Sequence, residues 1–351
     1  MNDIKKLTDS LNRKENLTKE EIKTSIDILV SDQVACSDKE NFLTAFAHKG
    51  ETVSEISSFI YYFLKLSKDP ELSDISKRAI DLCGTGGDKA GSFNISTFVS
   101  FILAAAGIPV IKHGNRSISS KCGSADLLES IGIPIEVEKI KRQEGLKVLN
   151  YAFLFAPAFH PSFKNIAPVR KKLAQKGIIS IFNILGPMIN PARPSYQLLG
   201  VYSDNLVSNV SESLNESGKK GGFVIHGRID GHPSIKGIDE LSSCGENIVQ
   251  GFGQNSSTKK GSWTVEKFGC KPSPIKDIEG GDLSRNIQIM KLLLNGSAPT
   301  GLTDSIQMNA SLAFLTVGRT KNLEEGMELA KKLLSDGTVK AWLNKVTTFF
   351  K

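Results

Sequence analysis

From residue 79 onward, short apolar segments ending in glycine or polar loops alternate with longer helical stretches, and this alternation limits the fold more than any other feature of the chain. AIDLC, STFVSFILAAAG, IPVIKHGNR and SADLLESIG follow one another as strand, helix, strand and helix, the grammar of a largely parallel sheet. Strands resume at YQLLGVY and GGFVIHG, and WTVEKFG reads as a further one. In such sheets ligands sit outside the carboxyl ends of the strands. GTGGD (84–88) and KHGNR (112–116) both fall at such ends.

The segment before the alternation reads differently. Thr18 with Glu21, Ser37 with Glu40, and Thr52 with Glu55 each place a hydroxyl three residues ahead of a glutamate, the capping-box arrangement of helix starts. Ile22, Ile26, Leu29 and Val30 then recur at helical spacing, as do Ile56, Phe59, Ile60 and Phe63. Three short helices forming a small bundle or cap are expected there. The proline-rich stretch 151–195 reads as short helices with prolines at their ends, and SIQMNASLAFLTVG and NLEEGMELAKKLLSDG close the chain as helices. The fold class expected is thus α/β: a helical domain over 1–75, with 165–195 packing on it, and a larger domain over 76–164 and 196–351.

Composition narrows the partners. Forty-four basic against 37 acidic residues give a formal +7, a mild excess spread along the chain that suits an anionic small molecule as well as a polymer. No basic stretch is interleaved with stacking rings, so nucleic acid is not expected as a partner. The five cysteines show no metal-ligand spacing, and no run approaches the roughly 18 apolar residues of a membrane span. A reduced, cytoplasmic setting and no membrane association are the expectation.

The stretch DLCGTGGDKAGSFNIST, residues 81–97, is neither a dinucleotide-binding G-x-G-x-x-G nor a P-loop. Its glycines either make a tight turn capped by Asn94, or turn successive backbone N–H groups toward an anion at a helix start carrying Asn94, Ser96 and Thr97. The next loop strengthens the second reading, because Lys112, His113, Asn115, Arg116 and Lys121 crowd into ten positions ahead of Ser124 at another helix start. Two such loops could enclose a polyphosphate from both sides. Carboxylates at Asp88 and at the adjacent Asp239 and Glu240 suit Mg²⁺, which prefers hard oxygen ligands, although adjacent acidic residues are also common on surfaces.

Taken together, GTGGD, FNIST (93–97), KHGNRSISSKCGSADLLESIG (112–132), FLFAPAFHP (153–161), NIAPVR (165–170), IFNILGPMINPA (181–192) and DELS (239–242) resemble the anthranilate phosphoribosyltransferase family, in family order and over essentially the whole chain. The resemblance implies a homodimer with a small helical and a larger α/β domain. It further implies Mg²⁺-dependent transfer of phosphoribose from 5-phosphoribosyl 1-diphosphate to the amine of anthranilate, the second step from chorismate toward tryptophan. Gly84, Thr85, Gly86, Gly87 and Asp88 would face the diphosphate, with Asn94, Ser96 and Thr97 at its phosphate and metal oxygens. Lys112 and the segment with Gly114, Arg116, Ser119, Ser120, Lys121 and Ser124 would complete the pocket. Asp239 and Glu240, with Ser96, would hold two Mg²⁺ ions. His113, Asn115, His160 and Arg170 would surround anthranilate, Arg170 clamping its carboxylate.

Three departures stand out. Where the resembled family runs through a G-x-R-T segment this chain has extra residues in LAQKG and then Ile178, Ile179 and Ser180, Ile179 in place of the usual arginine; Phe159 precedes His160 where a second histidine is common, and the connection GRIDGHPSIKGIDELS is long. A nucleoside phosphorylase-like enzyme and a nucleic-acid-binding relative are the alternative classes. The first would need neither the acidic pair nor Arg170.

Overall fold

The computed structural model describes residues 2–116 and 121–351. The N-terminal region holds four main helices, Asn2–Asn12, Lys19–Val30, Cys36–Lys49 and Val53–Leu66, one more than the capping signals mark. Thr18 and Thr52 form complete capping boxes with Glu21 and Glu55. The box expected at Ser37 does not form. That helix begins one residue earlier, at Cys36, which puts Ser37 inside the first turn, and the Glu40 carboxylate pairs with Lys176 instead. Phe42, Phe46, Phe59 and Phe63 fill the bundle interior.

The sheet contains β1 Ile80–Gly84, β2 Val110–Gly114, β3 Tyr151–Phe155, β4 Tyr196–Gly200, β5 Gly221–Arg228, β6 Gly237–Ile238, β7 Asn247–Gly253 and β8 Gly261–Trp263. Its order is β3-β2-β1-β4-β5-β7-β8, with β6 also pairing β5. The pairs from β3 through β5 are parallel, and β6, β7 and β8 join antiparallel. Two expectations need correction. YAFLF, read as part of a proline-rich helical stretch, is β3, because its prolines begin only after the strand ends. WTVEKFG is a strand only to Trp263, after which Val265–Phe268 turns into a short 3₁₀ helix.

Alternating side chains divide the sheet between two apolar layers. Ile80, Leu82, Leu198, Phe223 and Ile225 pack toward the helices Ile95–Ala105 and Thr300–Thr316, whereas Cys83, Leu199, Val224 and Ile248 pack toward the N-terminal bundle. Ile166, Val169, Leu173, Phe182 and Leu185 share that second layer with the N-terminal phenylalanines. Asn165 Nδ2 donates to the Val30 carbonyl at 2.7 Å, and with the Lys176–Glu40 ion pair this ties the segment carrying Arg170 to the helices. No described helix is long and apolar enough to cross a membrane.

Candidate functional site

The parallel strand order runs outward from β1 in one direction and from β4 in the other, so the crevice at their carboxyl ends is a topological switch point. GTGGD leaves β1 there. Thr85 N–H donates to the Gly200 carbonyl at 2.9 Å, and Tyr202 N–H donates to Thr85 Oγ1 at 3.1 Å, which stitches the loop to the end of β4. Gly86 and Gly87 take φ of +67° and +84°, a region that disfavours any side chain. Gly84 is glycine for another reason: a Cβ would stand 2.1 Å from Asp239 Oδ2.

Asp239 and Glu240 follow β6 and are buried against these loops. Asp239 Oδ2 accepts the Gly86 N–H at 2.6 Å, and its own N–H donates to Asp88 Oδ2 at 3.4 Å. Glu240 Oε1 accepts the Ser96 N–H at 2.9 Å and so caps the helix Ile95–Ala105. Asn94, at the N-cap position, does not cap it with its side chain. Burial lifts the Asp239 carboxyl well above the usual range, and the charges of Asp88 and Glu240 lift it further. Burial also lifts Glu240, with Lys112 opposing. Lys112, 2% exposed, donates to the Leu82 carbonyl and to Ser96 Oγ at 3.3 Å.

The second loop is only partly described, since Ser119 and Ser120 lie outside the described residues. Ser124 Oγ donates to the Asn115 carbonyl at 3.3 Å beside Gly114, where a Cβ would meet that hydroxyl at 2.4 Å. Asn115 and Lys121 are exposed. Arg116, also exposed, forms ion pairs with Asp126 at 3.0 Å and Glu129 at 2.7 Å. Thr97 is buried in the first helical turn rather than presented at the loop.

His113 and His160 meet on the side of the crevice toward the N-terminal helices, their ring centroids 5.2 Å apart. His160 lies 5.7 Å from the Phe163 ring, which packs in turn on Phe63 and Phe182. Among the described residues His113 Nε2 is buried without a hydrogen-bond partner, and the His160 ring nitrogens are buried with only a weak contact to the Ile189 backbone. Burial pushes His113 down to about 3, with His160 adding to the shift, and pushes His160 down to about 4, so both rings are neutral near pH 7. The Arg170 side chain is partly buried and makes no ion pair or hydrogen bond with any described residue; burial lowers its pKa, yet a guanidinium stays charged.

Three residues that support the site escape a motif-based reading. Asp81, buried near the start of β1, accepts from Asn190 Nδ2 at 2.9 Å and from the His113 N–H at 3.3 Å. Asn190 also donates to the Ile111 carbonyl at 2.8 Å, so the pair fixes the end of β2. Asn286, from the distant helix Leu283–Leu294, donates to Asn94 Oδ1 at 3.0 Å. Asp81 and Asn286 leave a faint signal, a polar residue on an otherwise apolar strand or helix face, whereas Asn190 sits in the loop after the helix Phe182–Met188.

The chain is similar to known proteins over nearly its whole length. The model of the glycosyl transferase family, a/b domain, matches residues 76–340. The anthranilate phosphoribosyltransferase of Persephonella marina is 37% identical over 348 residues, covering 99% of this chain and 98% of that protein. The one from Petrotoga mobilis is 39% identical over 335 residues, 95% and 93% of the two chains. The crystal structure of anthranilate phosphoribosyltransferase from Thermus thermophilus superposes with a TM-score of 0.87 at 32% identity, covering 98% of this chain and 99% of that one. The Saccharomyces cerevisiae enzyme in complex with PRPP and Mg shares the fold, at a TM-score of 0.83, 23% identity and coverage of 99% and 97%. The chain belongs to the anthranilate phosphoribosyltransferase family.

Proposed function

We propose that this member of the family transfers the 5-phosphoribosyl group of 5-phospho-α-D-ribose 1-diphosphate to the amine of anthranilate, releasing diphosphate, in tryptophan biosynthesis. The observation that carries the residue-level reading is the convergence of Asp239 and Glu240 on the Gly86 and Ser96 N–H groups, beside buried Lys112. In this reading the donor lies at the β1 and β2 loops. The acceptor lies between His113, His160 and Arg170, where the helical region (1–75 with 165–195) faces the α/β region.

The residues fit Mg²⁺. Asp88, Asp239 and Glu240 crowd together with only backbone donors and Lys112 to offset their charge, which a divalent cation would relieve. No three histidine, cysteine, aspartate or glutamate groups among the described residues form a cage of their own. The remaining ligands would then be Ser96, substrate oxygens and water, as Mg²⁺ prefers. Two ions accord with oxygen ligands at Ser96 and at the acidic pair. When bound, Mg²⁺ supplies positive charge to the departing diphosphate.

Displacing diphosphate from the anomeric carbon builds positive charge on the sugar and negative charge on the leaving group. The glycine-loop N–H groups beyond Gly86, the positive end of the helix Ile95–Ala105 and the Lys112 ammonium would face the leaving-group side. Arg170 holds the anthranilate carboxylate through paired N–H donors, orienting the amine in line. An aromatic amine is already neutral near pH 7, so neutral His113 and His160 need only hydrogen-bond and shield it. A homodimer in the cytoplasm belongs to the same reading.

The test is a Mg²⁺-dependent assay of anthranilate fluorescence loss with the phosphoribosyl diphosphate donor. Turnover that stops on chelation is expected. Phosphorolysis of nucleosides with no loss of anthranilate would replace this reading with a phosphorylase.

A further inference from the structure

Asn286 is 2% exposed on a helix face that otherwise presents Ile289, Met290 and Leu293 to the core. A buried amide among apolar side chains is costly unless its polar atoms are paired. Its Oδ1 accepts the Gly281 N–H at 3.0 Å, and its Nδ2 donates to Asn94 Oδ1 at 3.0 Å. The direction of this chain is forced. A backbone N–H can only donate, so Gly281 holds the oxygen of Asn286, whose nitrogen must then face Asn94. Asn94 presents its oxygen in reply, which turns its own Nδ2 to the Cys122 carbonyl at 3.1 Å.

The relay begins at a backbone donor, ends at a backbone acceptor and spans 192 residues at its longest step. It joins the helix start behind the glycine loop to the end of the second loop. Glu240, not Asn94, caps the helix Ile95–Ala105, so the Asn94 amide is left to this bridging task.

We propose that Asn286 is a positioning residue for the phosphoribosyl donor: by fixing the amide orientation of Asn94 it sets the spacing of the two loops around the diphosphate. The proposal rests on the donor assignment above. Asn286→Asp separates this role from a structural one, because a carboxylate still accepts the Gly281 N–H but cannot donate to Asn94. Asn94 then has to reverse, which sets its oxygen against the Cys122 carbonyl.

Steady-state kinetics should show the donor KM raised about tenfold, with kcat and the anthranilate KM within about twofold of wild type. Calorimetric titration with inorganic diphosphate and Mg²⁺ should show the same loss. Asn286→Ala removes the relay without burying a charge and gives the same readout if the aspartate variant does not fold. An unchanged donor KM in folded variants, or equal rises in both KM values, overturns the proposal. Wild-type turnover in the same assay tests the functional reading separately: a wild type that consumes no anthranilate refutes that reading, whereas an active wild type with indifferent variants refutes only the role of Asn286.

Discussion

The two halves of the crevice are finished to different degrees. On the proposed donor side Asp88, Asn94, Ser96, Lys112, Asp239 and Glu240 all hold hydrogen-bond partners within the chain. On the proposed acceptor side His113 Nε2 and the Arg170 guanidinium hold none among the described residues, and the His160 ring has only a weak contact with the Ile189 backbone. The contrast follows from what each half must do. Charge stabilisation at a leaving group works best from groups fixed beforehand, so that nothing reorganises during reaction. Discrimination works best from buried polar groups that stay unpaired unless the right ligand arrives.

The largest effect should come from the donor half. Replacing Asp239 and Glu240 by their amides keeps shape and acceptor oxygens but removes the two buried carboxyls that a cation would ionise. A fall in kcat/KM of about a thousandfold, roughly 4 kcal/mol, is expected, together with loss of Mg²⁺ dependence. A variant pair whose rate still rises with Mg²⁺ as in wild type would break the donor assignment.

Arg170→Ala probes the other half and should raise the anthranilate KM about a hundredfold, roughly 3 kcal/mol, with the donor KM nearly unchanged. Aniline, which lacks the carboxylate, sharpens the test. If the guanidinium serves that group alone, aniline should react equally slowly with wild type and variant. A further loss on aniline would give Arg170 a packing role instead.

Legibility in the sequence followed a similar divide. GTGGD, KHGNR and the acidic pair stand out as candidates because their chemistry is contiguous, and the structure places GTGGD and KHGNR at the ends of β1 and β2 as the alternation of apolar segments implies. Asn286, Asp81 and Asn190 do not, because each acts through a partner from another part of the chain, 192 residues away for Asn286 and 109 for Asn190. Local rules also failed where tertiary contacts intervened. The Ser37 capping box gave way to a Glu40–Lys176 pair, and Asn94 yielded its capping role to Glu240. YAFLF lost its strand reading to nearby prolines that belong to the next element.

Acidification should also distinguish the halves. His113 and His160 fall to about 3 and about 4 on folding, from a reference of 6.5. As pH drops below 6.5 the unfolded chain takes up protons first, so the stability they contribute is full above that pH and is lost toward their folded values. Between pH 7.5 and pH 5 each should cost about 2 kcal/mol of unfolding free energy. His160→Asn should remove about 2 kcal/mol of that pH dependence, read from denaturant midpoints at the two pH values. A variant as acid-sensitive as wild type would mean that His160 is solvated and that the acceptor half is wetter than its geometry indicates.

The smallest effect concerns where the acceptor half ends. Ile179, in the segment where the sequence departs from the pattern it resembles, is 55% exposed. Its neighbours are anchored: Lys176 pairs with Glu40, Gly177 turns the chain at φ +69°, and Ile178 packs against the helical cluster. The segment is therefore held in place by contacts that exclude Ile179 itself, whose side chain projects to solvent. Ile179→Arg should change stability by no more than about 0.5 kcal/mol, as surface substitutions usually do, and either KM by less than about threefold. A selective shift of tenfold in the anthranilate KM would extend the proposed acceptor half outward to this segment, and would make the LAQKG insertion part of how anthranilate enters.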